Sequence, residues 1–269
     1  MEWFEAVILG LLQGLTEFLP VSSSGHLEIG KVLLGVETTD DLMFTTMVHA
    51  ATVLSTIVVF RKQIFGLLKG FFKFSYNDET DYLFKIAVSI IPVMIVGLFF
   101  KDHVEALFGS IKVVGYALLL TSALLFFSDL ASKPGKDVRK PESEARNGIS
   151  YWQAFVVGLA QALAVVPGLS RSGTTISTGL ICGVRRDVMA QFSFLMVLVP
   201  ILGESFLELV GGEFANTSVG ALPLILGFVS AFVSGLFACK VMIALVRKAK
   251  LSWFALYCLL AAAAIFIFA

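Results

Sequence analysis

Long apolar runs alternate with short polar stretches along the whole chain. An apolar run of about 20 residues can cross roughly 30 Å of hydrocarbon as a helix. On this basis the sequence predicts six transmembrane helices, at 43–60, 82–100, 111–131, 188–212, 219–246 and 251–269. Two further apolar runs, 3–19 and 151–167, are shorter and are interrupted by polar residues. The predicted fold class is therefore an all-α polytopic membrane protein.

An internal repeat relates the two interrupted runs. A shift of 148 positions aligns residues 6–36 with 154–184, with ten identities in 31 positions and no gap. The same shift carries the first three predicted spans onto the last three. We therefore predict one integral membrane domain over 1–269, made of three parts: repeat one (1–131), a linker (132–150) and repeat two (151–269).

The positions of Lys and Arg predict the orientation of the repeats. These residues accumulate on cytoplasmic loops, and here they cluster at 61–73, 133–146, 185–186 and 247–250. All four clusters can be cytoplasmic only if each interrupted run returns to the side from which it entered. The sequence therefore predicts two re-entrant helical hairpins, an inverted-topology repeat and a cytoplasmic linker.

The predicted hairpin tips are SSSGH (22–26) and SRSGT (170–174). Non-helical backbone is tolerated at membrane depth only where it is buried in protein or lines a wet cavity. We therefore expect the two tips to lie close together and to form a polar pocket.

Composition agrees with this picture. The chain is 57% hydrophobic and 15% charged, and its mean hydropathy is +0.89, too apolar for the surface of a soluble globule. The formal net charge is zero, so charge gives no support for a nucleic-acid partner. The three cysteines lie in or beside apolar segments and are interpreted as small core residues.

The tips carry groups that bind anions. Serine- and glycine-rich loops that lead into helices offer backbone N–H groups and hydroxyls. The planar guanidinium of Arg171 matches phosphate oxygens. An alternative is that Arg171 is only the structural ion-pair partner of Glu17. Glu17 follows Gln13 by four residues, so both lie on one helix face, where the carboxylate could bind a divalent cation or accept a proton. Alternatively, Glu17 is a helix-end carboxylate that faces water.

Histidines offer a second kind of chemistry. Taken alone, His26 is most simply a hydrogen-bonded structural residue. Its position beside three serines, Glu17 and Arg171 favours general acid–base or nucleophilic work. His49 lies within a predicted spanning helix and could line the same cavity.

Two stretches carry a family resemblance. QGLTEFLPVSSSGH (13–26) and PGLSRSGTT (167–175) resemble the two signature motifs of the bacterial undecaprenyl-diphosphate phosphatase family, also known for bacitracin resistance. The likeness extends over essentially the whole chain. The family's glutamate motif is (E/Q)xxxE, and this chain has its glutamine form in Gln13 and Glu17.

The resemblance implies roles for the tip residues. The expected catalytic residues are Glu17, Ser23, His26 and Arg171. Expected substrate-binding residues are Ser22, Ser24, Gly25, Ser170, Ser172, Gly173 and Thr175. Ser23 is the preferred nucleophile, with His26 or a bound water as alternatives. A divalent cation, Mg or Ca, is expected at Glu17 with Gln13, and no organic cofactor is expected.

The implied reaction is hydrolysis of undecaprenyl diphosphate to undecaprenyl phosphate and phosphate, which recycles the lipid carrier for cell-wall synthesis. Bacitracin would compete for this substrate. The expected location is the bacterial plasma (inner) membrane, with the active site open to the extracytoplasmic side. Membrane lipid and a second copy in a homodimer are the other expected partners. The alternative function is a prenyl-phosphate flippase or anion transporter, because inverted repeats with broken segments at the midplane also build transporters.

Overall fold

The computed structural model describes residues 1–36, 42–100, 103–104, 106–107, 110–132, 145–203 and 219–268, and the regular elements within them are helical. We number the helices along the chain as α1 (Trp3–Thr16), α2 (Ser23–Leu34), α3 (Leu42–Val59), α4 (Arg61–Phe71), α5 (Asp78–Phe99), α6 (Ile111–Ala131), α7 (Tyr151–Leu163), α8 (Arg171–Ile181), α9 (Arg186–Met196), α10 (Ala221–Lys248) and α11 (Ser252–Phe268). A short 3-10 turn at Arg146–Gly148 precedes α7.

Four of the described helices are long and apolar enough to cross a membrane, which is the pattern of a multi-pass membrane protein. They are Asp78–Phe99, Ile111–Ala131, Arg186–Gly203 and Ala221–Val246. The first, second and fourth match predicted spans. The third overlaps the predicted span 188–212, of which 204–212 lies outside the described residues.

The other two predicted spans have different forms. The run at 43–60 becomes α3, which is followed after a 74° bend by α4. This bent pair can count as one further span, which brings the total to five. The run at 251–269 becomes α11, an apolar helix of 17 residues. Its length falls at the lower limit for crossing the hydrocarbon.

Each interrupted run forms two helices joined by a short turn. In the first, α1 leads into α2, and in the second, α7 leads into α8. Both second helices begin with the same cap. The Oγ of Ser22 accepts from the backbone N–H of Gly25, and the Oγ of Ser170 accepts from that of Gly173. These side chains satisfy N–H groups that a helix start leaves unpaired.

The helices of one repeat pack on those of the other. Helix α1 packs on α10, α7 packs on α5, and α6 packs on α11. A shift of 148 residues carries α1 onto α7 and α5 onto α10, so the first two pairs are equivalent. The same shift carries α6 onto α11, so the third pair joins two equivalent helices. Glycines permit the close approach: a Cβ on Gly158 of α7 would lie 2.3 Å from the carbonyl oxygen of Ser89, and one on Gly14 of α1 would lie 2.0 Å from Oγ of Ser234. Small residues at such contacts are typical of membrane helix pairs.

Two buried ion pairs lie near the basic clusters, one within α5 and one between α9 and α6. Lys85 bonds Asp81 at 2.5 Å and also donates to the carbonyl of Arg146 at 2.6 Å. Arg186 bonds Asp129 at 2.5 Å. In each pair both side chains are at most 9% exposed. Charges buried this deeply are tolerated because they are paired.

Candidate functional site

The two predicted tips meet in the structure. Nη2 of Arg171 donates to Oε1 of Glu17 at 2.7 Å. The hydroxyl of Ser172 donates to the carbonyl of Leu19 at 3.1 Å, and the N–H of Gly168 donates to Oγ of Ser24 at 3.3 Å. The turn after α1 and the turn before α8 are therefore joined by an ion pair and two hydrogen bonds.

Glu17 is the common partner of the polar groups at this junction. Its Oε2 accepts from the hydroxyl of Ser23 at 2.5 Å and from Nε2 of Gln13 at 2.9 Å. Nε2 of His49 lies 3.8 Å from the same oxygen. The Glu17 side chain is only 9% exposed, so the alternative of a helix-end carboxylate facing water is wrong. The sequence analysis also offered an ion pair with Glu17 as the alternative to phosphate binding by Arg171. That ion pair is present in the structure.

Arg171 retains donors for an anion. A guanidinium has five N–H groups, and within the described residues one hydrogen bond to Glu17 is seen. Arg171 also lines a cavity of about 260 Å³. The starts of α2 and α8 supply further N–H groups beside it.

That cavity collects polar side chains from both tips and from residues outside the motifs. From the tips it is lined by Glu17, Ser22, Ser23, Ser24, Ser170 and Arg171. The polar contributors outside the motifs are Glu28, Lys31, Thr45, Thr46, His49 and Gln161. His49 was suggested by its place in an apolar helix. Gln161 is the repeat equivalent of Gln13, but the sequence did not place it at the site. Glu28, Lys31, Thr45 and Thr46 were not singled out, because they belong to neither motif.

His26 lies away from this cavity. Its Nδ1–H donates to the carbonyl of Ser22 at 2.7 Å, and its Nε2 lies 2.6 Å from the hydroxyl of Tyr257 on α11. The two rings are stacked, 5.6 Å apart. His26 is 8% exposed and does not line the described cavity. A neutral imidazole that donates through Nδ1 accepts through Nε2, so Tyr257 occupies the nitrogen that a nucleophile would use.

Four expected substrate-binding residues do not line this cavity and have internal partners. One is Ser172, whose hydroxyl donates to the carbonyl of Leu19. The N–H groups of Gly25 and Gly173 bond the N-cap serines. The hydroxyl of Thr175 bonds the carbonyl of Arg171 at 2.8 Å and Oγ of Ser193 at 2.6 Å. These residues shape the two helix starts.

A divalent cation would find oxygen donors here, but few of them. Within the described residues there is no group of three His, Cys, Asp or Glu side chains that could hold a metal. Oε1 of Gln13 is buried and has no hydrogen-bond partner among the described residues, and Nε2 of the same amide donates to the Glu17 carboxylate. Mg²⁺ and Ca²⁺ prefer such oxygens. Glu17, which lines the cavity, and Gln13 would be the residues to hold a cation, which would take its remaining ligands from a bound phosphate.

Comparisons with known proteins give a consistent result. A family model described as "Bacitracin resistance protein BacA" matches residues 6–264. A protein of Bacteroides fragilis is 55% identical over 262 residues, which cover 96% of this chain and 95% of that protein. A protein of Parabacteroides distasonis is 56% identical over 265 residues, covering 97% and 96%. A protein of Bacteroides thetaiotaomicron is 54% identical over 271 residues, covering 99% of both. All three relatives are named undecaprenyl-diphosphatase.

Proposed function

The chain belongs to the bacitracin resistance protein BacA family, and from this membership we propose that it is an undecaprenyl-diphosphatase. The reaction is hydrolysis of the lipid diphosphate to undecaprenyl phosphate and inorganic phosphate, which returns the carrier to cell-wall synthesis and confers bacitracin resistance. The observation that best supports this chemistry is the contact of Glu17 with a hydroxyl on one oxygen and a guanidinium on the other.

In the proposed mechanism Ser23 is the nucleophile and Glu17 its base. Glu17 accepts the hydroxyl proton, the Ser23 oxygen bonds to the terminal phosphorus, and the bond from that phosphorus to the bridging oxygen breaks. Undecaprenyl phosphate leaves with the bridging oxygen. Water then attacks the phosphoserine and releases phosphate, and Ser23 regains a proton. The 2.5 Å contact supports the first transfer, since a base must lie within hydrogen-bond reach of the proton it removes.

Arg171 stabilises the negative charge of the transferred group in this mechanism. Phosphoryl transfer depends mainly on positioning and on charge stabilisation. The guanidinium can position the phosphate and stabilise its charge. Its hydrogen bond to Glu17 places it next to Ser23, which binds the same carboxylate. A Mg²⁺ or Ca²⁺ held by Glu17 and Gln13 would supply additional positive charge to the phosphate oxygens.

His26 acts as a positioning residue in this proposal. Ser22, the residue before Ser23, has a φ of +70°, which is uncommon for a residue with a Cβ. Its carbonyl accepts from both the backbone N–H and the ring Nδ1–H of His26. These bonds hold the turn that delivers Ser23 to Glu17.

The proposed topology is an inverted repeat with six spans and two re-entrant hairpins in the bacterial inner membrane. The cavity then opens to the extracytoplasmic side. Thr45 and Thr46 line it near the start of α3, whose far end adjoins the basic cluster at 61–73. Pro200 and Ile201 line it near the end of Arg186–Gly203, which begins at the basic pair 185–186. The cavity thus lies toward the helix ends that are remote from the basic clusters at 61–73 and 185–186.

A carrier for prenyl phosphates is the second candidate. A smaller cavity of about 20 Å³ is lined by Glu17 and Arg171 together with Thr52, Thr56 and Ser193. Glu17 and Arg171 therefore line both cavities, as the residues of a transport gate would. This space is enough for about one water molecule and too small for a lipid headgroup, which favours the phosphatase.

The direct test is phosphate release from a prenyl diphosphate by the purified protein in detergent. We expect release in the presence of Mg²⁺ or Ca²⁺, and loss of release in an Arg171→Ala variant. Absence of release by the unmodified protein, with either cation or after chelation, would overturn the proposal. Assays of prenyl-phosphate transport across vesicle membranes would then test the carrier function.

A further inference from the structure

Gln161 has an unsatisfied amide at the wall of the cavity. It lies on α7, is 1% exposed, and lines the same cavity as Ser23 and Arg171. Neither its Nε2 nor its Oε1 has a hydrogen-bond partner in the described part of the chain. Buried polar atoms in native proteins are nearly always paired. Gln13, Tyr82 and Thr174 also bury an atom that has no partner among the described residues, but only Gln161 of these four lines the cavity. Its amide is therefore the one that a molecule bound in the cavity could pair.

The internal repeat shows which side chain Gln161 lacks as an acceptor. Gln161 corresponds to Gln13, whose Nε2 donates to Glu17 four residues later. In the second repeat the residue four positions after Gln161 is Val165, whose side chain cannot accept a hydrogen bond. The amide is present in both repeats, but the carboxylate is present only in the first.

A second glutamine on the same helix shows how the fold satisfies an amide that has a structural role. Nε2 of Gln153 donates to the carbonyl of Cys182 at 3.0 Å, and its Oε1 accepts from the N–H of Ser150 at 2.8 Å. Gln153 is 3% exposed, so the two glutamines are equally buried. Among the described residues, the amide of Gln153 has hydrogen-bond partners and that of Gln161 has none.

We propose that Gln161 is a substrate-binding residue whose amide N–H donates to a phosphate oxygen of the diphosphate headgroup. The inference rests on the proposed function and adds a contact to it. Phosphate oxygens accept hydrogen bonds, and a neutral amide donates to them without the desolvation penalty of a second buried cation. Arg171 and Gln161 then bind the headgroup from different elements, one by charge and one by a neutral donor.

The test compares Gln161→Met with Gln153→Met in purified protein. Methionine has nearly the shape of glutamine but cannot donate N–H. Three quantities are measured: thermal stability without ligand, KM and kcat for a prenyl diphosphate, and the stabilisation given by a prenyl methylenediphosphonate, whose bridging carbon blocks hydrolysis. The third quantity reports binding independently of turnover.

For Gln161→Met we expect a melting temperature equal to or above that of the parent, because the variant no longer buries an unpaired amide. KM and the dissociation constant of the diphosphonate should rise about tenfold or more, as for loss of a hydrogen bond to a charged group. Gln153→Met should show the opposite pattern, with lower stability and unchanged KM.

Other results would overturn the inference. Unchanged KM and diphosphonate binding in a folded Gln161→Met variant would exclude the contact with substrate. A large loss of stability in both Gln161→Met and Gln161→Leu would show that the amide supports the fold. Failure of the unmodified protein to hydrolyse the lipid would contradict the proposed function instead, and diphosphonate binding would still report on Gln161.

Discussion

Ser23 and Arg171 occupy the same position in two related helices and bind the same carboxylate. Each is the first residue after an N-cap serine, and they are 148 residues apart in the chain. Ser23 donates to Oε2 of Glu17 at 2.5 Å, and Arg171 donates to Oε1 at 2.7 Å. The two repeats have thus diverged at one equivalent position, where one now provides a hydroxyl and the other a cation.

Replacement of Ser23 tests its assignment as the nucleophile. Ser23→Ala should still bind the lipid diphosphate, because the guanidinium of Arg171 is intact. Its turnover should fall at least about a thousandfold, because no neighbouring group replaces a lost covalent step. Steady-state kinetics and diphosphonate binding measure the two effects separately.

Ser24→Ala is the matched control. Ser24 is adjacent to Ser23, and its hydroxyl makes longer contacts, at 3.3 Å to Ser22 and to the N–H of Gly168. Its turnover should fall far less. Rapid quench with labelled substrate should place phosphate on Ser23. Phosphohistidine at His26 would contradict this assignment, and an active Ser23→Ala variant would leave water as the attacking group.

Replacement of Arg171 separates charge from geometry. Arg171→Lys keeps a positive charge beside the buried carboxylate of Glu17, so stability should change little. Its kcat/KM should fall about a hundredfold, because an ammonium lacks the planar fork that matches phosphate oxygens. Arg171→Ala should lose both activity and stability, since it leaves Glu17 unpaired. Near-normal turnover by Arg171→Lys would show that bidentate phosphate binding is the wrong role.

The contact between the two tips could be predicted from the sequence. Ionisable groups inside apolar segments need partners, and the repeat identified Glu17 and Arg171 as belonging to equivalent segments. The structure adds that Ser22 and Ser170 are the N-caps of α2 and α8, a role that small polar residues directly before a helix typically have.

The surroundings of His26 could not be predicted. Its partner Tyr257 lies 231 residues later in the chain, in an apolar helix whose sequence shows no polar pattern. The lack of a partner for the Gln161 amide among the described residues could not be predicted either. The repeat shows that Gln161 corresponds to Gln13, but it does not show which amide has a hydrogen-bond partner. The bend between α3 and α4 follows Phe60, where neither proline nor glycine marks a break.

Substitution of His26 distinguishes a positioning residue from a reacting one. His26→Asn keeps an amide donor near the position of Nδ1, so it can still bond the carbonyl of Ser22. We expect it to retain about a tenth of the kcat or more, and His26→Ala to lose considerably more, the difference being that of one buried hydrogen bond. Tyr257→Phe should resemble His26→Asn. Equal inactivity of His26→Asn and His26→Ala would indicate that the imidazole itself reacts.

Helix α7 should be sensitive to the smallest enlargement of a side chain. Gly158→Ala would place a Cβ 2.3 Å from the carbonyl oxygen of Ser89, so α7 and α5 must separate. We expect a loss of about 1–3 kcal/mol in stability, as for an overpacked core. Gly97→Ala is the control, because nothing lies within 4 Å of its added Cβ and alanine favours a helix over glycine. Thermal unfolding in detergent measures the stability of both variants. Equal stability of Gly158→Ala and Gly97→Ala would contradict the close packing of α7 on α5.

Single cysteines on both sides of the first hairpin and at two basic segments test the proposed topology. In a Cys182→Ala background, Glu2→Cys and Val36→Cys bracket the first hairpin, and Ser75→Cys and Arg185→Cys lie at basic segments. If both runs re-enter, an impermeant thiol reagent should label positions 2 and 36 in intact cells and positions 75 and 185 only after the membrane is opened. The reason is that the Lys and Arg clusters stay in the cytoplasm. Labelling of positions 2 and 36 from opposite sides would mean that the first run crosses the membrane, and the inverted repeat would then be wrong.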